Sequence, residues 1–294
     1  MLYLSVIAAT SELPRQPNFS DPAVQIWYEN DGSVSAWGYI EQGYHWMGFP
    51  EFATYRFSLD SDEVVVFPHH VAQIELIWDT FYRNVVPMVI QAKGQEALHA
   101  SAVLTENGVI AFCAVSETGK STFAYGLSQR GYVQWADDAV TFKCLTDEVF
   151  TDFIPFVSRL RPTSAHYFGL DQFSMSTLVK PITEIKLDSA PLSAIYVLER
   201  AVPKDLQEEF EIQKLLPVRA FPAILAHAYC FSLGHTHRKK AMMKNYMELV
   251  NKVPIFQIRF SAGIEKLPDI LDSIEHNLSS LTTPINQPQE SRST

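Results

Sequence analysis

Cysteine is scarce in this sequence, and what there is does not pair. The 294 residues hold three, Cys113, Cys144 and Cys230, none in a CxxC spacing, which excludes a closed disulfide framework. Cys113 lies in an apolar run and reads as a buried, inert thiol. Basic residues are few as well: 23 Lys and Arg face 33 Asp and Glu, a formal net charge of −10, with no basic cluster. Nucleic acid is thereby excluded as the main partner, because counterion release needs clustered cations. Nucleotide phosphates stay open, since a local loop of backbone N–H groups holds anions whatever the global charge. No apolar run reaches the roughly 18 residues a membrane helix needs, so no membrane association is expected. The start, MLYLSVIAAT, lacks a basic n-region; no secretory signal is expected, and the cytoplasm is the expected compartment. No internal repeat is present.

What the sequence does have is apolar bulk. It is 47% hydrophobic and 19% charged, with twelve Tyr, nineteen Phe and five Trp, enough for one large or two modest packed domains. Residues 1–90 read as a β-rich N-terminal domain suited to peptide recognition. VQIWYE, SVSAWGYI, TYRFSLD and EVVVFP are strand-like, separated by Asp-Gly, Gln-Gly and Pro turns. His69 and His70 are adjacent on such a strand and point to opposite faces, so no shared metal is expected. AQIELIWDTFYRNVVPMVIQ has helical spacing as far as Pro87.

Residues 91–281 read as a second domain. LHASAVLT and GVIAFCAV form a hairpin across Glu106-Asn107-Gly108, GKSTFAYGLSQRG a helix with Gly131 at its C-cap, and YVQWADDAVTF a strand carrying two carboxylates. LSAIYVLER and PIFQIRF read as strands; VRAFPAILAHAYC, KKAMMKNYMELVNK and LPDILDSIEHNLSSL read as helices. Residues 282–294 form a polar tail, expected to be disordered.

The chemistry concentrates on Ala114, Val115, Ser116, Glu117, Thr118, Gly119, Lys120, Ser121 and Thr122. This stretch fits G-x-x-x-x-G-K-[ST] in all but its first glycine, which is Ala114. Between an apolar strand and a helix, such a loop supplies N–H groups for phosphates, a lysine for the β- and γ-phosphates and a hydroxyl for Mg²⁺. Asp137 and Asp138 follow Ser121 by 16 and 17 residues, at the sheet edge beside the loop, where one can orient Mg²⁺ and the other accept a proton. His99, 21 residues before Lys120, stands where it can hydrogen-bond Asp137 and tune its basicity.

Taken together, His99-Ala100, Gly119-Lys120-Ser121, Arg130-Gly131 and Ala136-Asp137-Asp138 resemble the HPr serine kinase/phosphorylase family and its related kinases, over about Leu98 to Val140. Downstream, PLSAIYVLER and VPIFQIRF are more similar to the related kinases, and the phosphocarrier kinase's distal signature motif cannot be placed. The resemblance implies an α/β protein of α+β character: a PEP-carboxykinase-like mixed-sheet core behind the β-rich N-terminal part. It implies ATP and Mg²⁺ as cofactors and γ-phosphoryl transfer to a serine of a protein or ribosomal precursor peptide, including lasso-peptide precursors. By the same analogy Asp137 is the base, Lys120 stabilises transferred charge, Ser121 with Asp138 manages Mg²⁺, and Arg161, then Arg159, contacts phosphate. A homo-oligomer is also implied. A non-catalytic nucleotide sensor and a small-molecule kinase on the same fold stay open as alternatives.

Overall fold

The computed structural model describes residues 3–6, 16–29, 31–50, 52–69, 74–156, 158–170, 177–179, 188–202, 206, 209–231, 236–261 and 263–281. His70 and the tail from residue 282 lie outside them. Six strands open the chain: β1 (Tyr3–Val6), β2 (Gln25–Tyr28), β3 (Val34–Glu41), β4 (Tyr44–Phe49), β5 (Ala53–Phe57) and β6 (Glu63–Pro68). They form one sheet in the order β1-β6-β5-β4-β3-β2, antiparallel except for the β1–β6 pair. Strand alternation puts Met47, Phe49, Tyr55, Phe57, Val64 and Val66 together in the buried core. The sequence reading missed β4. Its Gly48 lies so close to the Trp37 ring that an added Cβ would meet it at 1.9 Å, and a glycine at that register blurs the alternation.

A helix then packs on the buried face: α1 (Ile74–Thr80), a π-helical turn (Phe81–Val85) and α2 (Val86–Ala92). Ile77, Phe81, Val85 and Val89, spaced four apart, join the same core, as do Ile154 and Phe231 from far along the chain. The expected stop at Pro87 does not occur. Pro87 falls in the first turn of α2, where its missing N–H is not needed, and Val86 donates to the Phe81 carbonyl across the widened turn.

The second sheet is mixed. β7 (Glu96–Leu98), β8 (Ala100–Thr105) and β9 (Gly108–Cys113) lead into α3 (Lys120–Ser128), followed by β10 (Val133–Ala136), β11 (Val140–Cys144) and β12 (Val149–Asp152). Then come β13 (Ser158–Leu160), α4 (Pro162–Tyr167), β14 (Thr177–Val179), β15 (Ser189–Arg200), β16 (Phe210–Lys214), α5 (Pro217–Leu225), α6 (Thr236–Lys252), β17 (Ile255–Phe260) and α7 (Leu267–Leu281). α3 ends with Gln129 as its cap, two residues before the expected Gly131, which makes the left-handed turn at φ 99°. β8 and β9 form the expected antiparallel hairpin, and β15 runs parallel to β9 and β17. β15 also pairs antiparallel with β12, which leads through β11 to β7.

The strand expected over LHASAVLT is broken at His99, and the one over YVQWADDAVTF is broken at Asp137–Ala139. Before and after these breaks the partners change: β10 pairs with β8, whereas β11 pairs with β7. The sheet therefore opens at one point, where His99 and both aspartates stand. Helices α5 and α6 close one apolar face and α3 and α7 the other. Among the described residues no helix is long and apolar enough to cross a membrane.

Candidate functional site

β9 is buried along its whole length and delivers the chain at Ala114, which is itself fully buried. Ala114 is not among the residues with positive φ, so nothing at that position calls for glycine. Gly119 does need to be glycine: it caps α3 at φ 129°. The loop's other left-handed residue is Glu117, at φ 70°. Its carboxylate pairs with Arg161 Nη2 at 2.6 Å, and its carbonyl accepts from Arg200 Nη2 at 3.1 Å. Arg161 is thus brought to the loop through Glu117. Thr122 and Ser164 hydroxyls lie 2.8 Å apart and join α3 to α4.

Lys120 is 7% exposed, with Nζ donating to the Ala114 carbonyl at 3.3 Å across the loop. Burial pushes its pKa down, while the charges of Asp138 and Asp137 act in the opposite sense. Ser121 Oγ donates to Asp137 Oδ1 at 2.7 Å. Ser101 Oγ donates to the same oxygen at 2.6 Å, and the Arg159 backbone N–H donates to Oδ2 at 3.1 Å. Asp137 is 4% exposed; burial and the neighbouring Asp138 charge raise its pKa against these three donors.

Asp138 has different company. Its Oδ1 lies 3.6 Å from His99 Nε2, and its Oδ2 accepts Arg83 Nε at 2.5 Å, with Arg83 Nη2 closing a second contact. Burial alone would raise its pKa, but the His99 imidazole beside it and the charge and hydrogen bond of Arg83 hold it well below the usual carboxylate range. One sequence expectation changes here: His99 meets Asp138 rather than Asp137, while Ser121 bonds Asp137.

Several residues at this site carried no sequence expectation. Arg83 reaches it from the π-helical turn, and Asp79, one helical turn earlier, accepts Arg159 Nη2 at 2.7 Å. His227 accepts the His99 backbone N–H at 2.7 Å through its carbonyl, and Tyr229 Oη donates to the Asp138 carbonyl at 2.9 Å. Ser101, two residues beyond His99, is the one that alternation could have flagged. Arg83 and Asp79 show only an i,i+4 helical pair, with nothing local to tie them to Asp138.

Arg83, His99, Lys120, Ser121, Asp138 and Arg159 share one cavity of about 880 Å³ with loop residues Ser116–Gly119. The donor set suits a triphosphate with Mg²⁺: a loop ahead of a helix N-terminus, a lysine, and a hydroxyl–carboxylate pair of hard oxygens. Among the described residues, no group of three or more His, Cys, Asp and Glu is spaced to hold a metal alone. Mg²⁺ commonly takes only one or two protein oxygens and completes its shell with phosphate and water.

No family model and no curated protein matches this chain. Among solved structures, the chain is similar to the Hpr(Ser) kinase/phosphatase from Coxiella burnetii, with a TM-score of 0.33 and 12% identity over 63% of this chain and 97% of that one. A likeness so distant carries no weight for function, which has to be argued from the geometry of the site.

Proposed function

We propose that this chain is an ATP-dependent kinase that, with Mg²⁺, transfers the γ-phosphoryl group to a Ser or Thr hydroxyl of a small protein or ribosomal precursor peptide. The observation that carries this reading is the 2.7 Å bond from Ser121 to Asp137 at the first turn of α3, with Asp138, paired with Arg83, lining the same cavity as Ser121. Ser116–Gly119 cradle the phosphates, and Lys120 exchanges the Ala114 carbonyl for phosphate oxygen. Ser121 and Asp137 would hold Mg²⁺, which when bound offsets phosphate charge.

The acceptor hydroxyl oxygen attacks the γ-phosphorus, the bond to the bridging oxygen of ADP breaks, and the hydroxyl proton passes to Asp138. His99 and Arg83 hold Asp138 at the cavity, where a loose transition state asks little basicity of the group that takes the proton. These contacts favour the reverse of the division implied by the family resemblance, in which Asp137 is the base and Asp138 serves the metal.

Mass spectrometry of Ser-containing peptides incubated with Mg-ATP tests the reading. Asp138→Asn, which tolerates the left-handed φ of 68°, should lower transfer by about a hundredfold or more while retaining ATP binding. Asp137→Asn should weaken Mg-ATP binding and transfer together. Transfer by Asp138→Asn at the wild-type rate would remove it as the base. Tight Mg-ATP binding by the wild type without transfer to any hydroxyl would favour a nucleotide sensor.

A further inference from the structure

The helix that packs on the first sheet carries a cation, at its π-helical turn, into the second sheet's cavity. Arg83 stands in the π-helical turn Phe81–Val85, a rare conformation that concentrates at functional sites. Its Nε and Nη2 meet Asp138, and its Nη1 lies 3.6 Å from Asp79 Oδ2. The same Asp79 oxygen holds Arg159, whose backbone N–H is bonded to Asp137. A chain of contacts thus runs from Asp138 through Arg83, Asp79 and Arg159 to Asp137, fixing the guanidinium beside Asp138.

A purely structural counterion for Asp138 would need neither solvent access nor spare donors. Arg83 has both. Its side chain is 27% exposed and lines the cavity with Lys120 and Ser121. Guanidinium has five N–H groups, and three contacts leave one on each Nη without a partner among the described residues. A planar fork with spare N–H groups, lying close enough to Lys120 for their charges to interact, is suited to phosphate oxygens.

We infer that Arg83 contacts the terminal phosphoryl group of the bound nucleotide, so that the helix of the first sheet supplies one wall of the phosphate site. This rests on the nucleotide reading given above. It makes Arg83 selective: it should matter for ATP and hardly at all for ADP, which lacks the group it touches.

Calorimetric titration of the full chain with Mg-ATP and with Mg-ADP tests this, with near-UV circular dichroism verifying the fold. For Arg83→Gln, ATP affinity should fall about tenfold, the value of one charged hydrogen bond, while ADP affinity changes less than about twofold. Should Arg83→Gln fail to fold, Arg83→Lys decides. It keeps the charge but loses the fork, and should weaken ATP by about threefold with ADP unchanged. Equal losses for the two nucleotides, or none for either, would overturn the inference while leaving nucleotide binding in place. A wild-type chain that binds neither nucleotide would instead remove the nucleotide reading, and this inference with it.

Discussion

Asp137 and Asp138 are neighbours in sequence yet meet different partners, because Asp138 takes a left-handed φ of 68° where β10 gives way to β11. For a residue other than glycine that conformation costs on the order of 1 kcal/mol or more, and the contacts of Asp138 with His99 and Arg83 offset it. Close by, His227 has its imidazole pKa pushed down to about 4, chiefly by burial and further by the charges of His99 and Lys120. Below its ordinary value of 6.5, the unfolded chain therefore takes up a proton that the folded chain refuses. Stability contributed by neutral His227 is complete above pH 6.5 and is lost as pH falls toward 4. Melting temperatures across that window should decline less steeply in His227→Gln than in the wild type; parallel declines would show that His227 is not the group responsible. Residue identity made the loop and both aspartates readable in the sequence. The roles of the aspartates were not readable, because they depend on one backbone angle and on an arginine 55 positions upstream of Asp138.

At the scale of elements, the hairpin β8–β9, helix α3 and the strands β15 and β17 were legible because each carries its own periodicity and turn residues. The forking of the sheet was not. A strand pattern shows alternation but not which neighbour it pairs with, so LHASAVLT read as one strand although β7 and β8 have different partners. The register of β7 is held from α6. Arg238 donates to both oxygens of Glu96 at 2.7 and 2.8 Å and to the carbonyls of Gln91 and Gln95, each at 2.9 Å. Asn245, two helical turns on, adds a further donor to Glu96 at 2.8 Å. Glu96 is 1% exposed, so Arg238→Ala strands a buried carboxylate. Urea unfolding should show a loss of about 3–5 kcal/mol, the usual result of removing one partner from a buried pair. An unchanged midpoint and slope would mean that α6 holds β7 by apolar packing alone.

Across the whole molecule, the helix packed on the first sheet contributes Arg83 to the same cavity as the phosphate-type loop. Core contacts of Ile154 and Phe231 with the first sheet, and the Arg83–Asp138 pair, join regions that the sequence presents as separate blocks. Composition and texture made the β-rich beginning and the α/β remainder visible. Their junction was invisible, since it is built from single residues scattered over more than a hundred positions. On the proposed reading, Ala114–Ser121 binds the phosphates of Mg-ATP. Calorimetric titration of wild type and Lys120→Ala with Mg-ATP tests this. Saturable binding by the wild type that weakens by about tenfold or more in Lys120→Ala is the predicted result; equal affinities, or no binding by a folded wild-type chain, would contradict it.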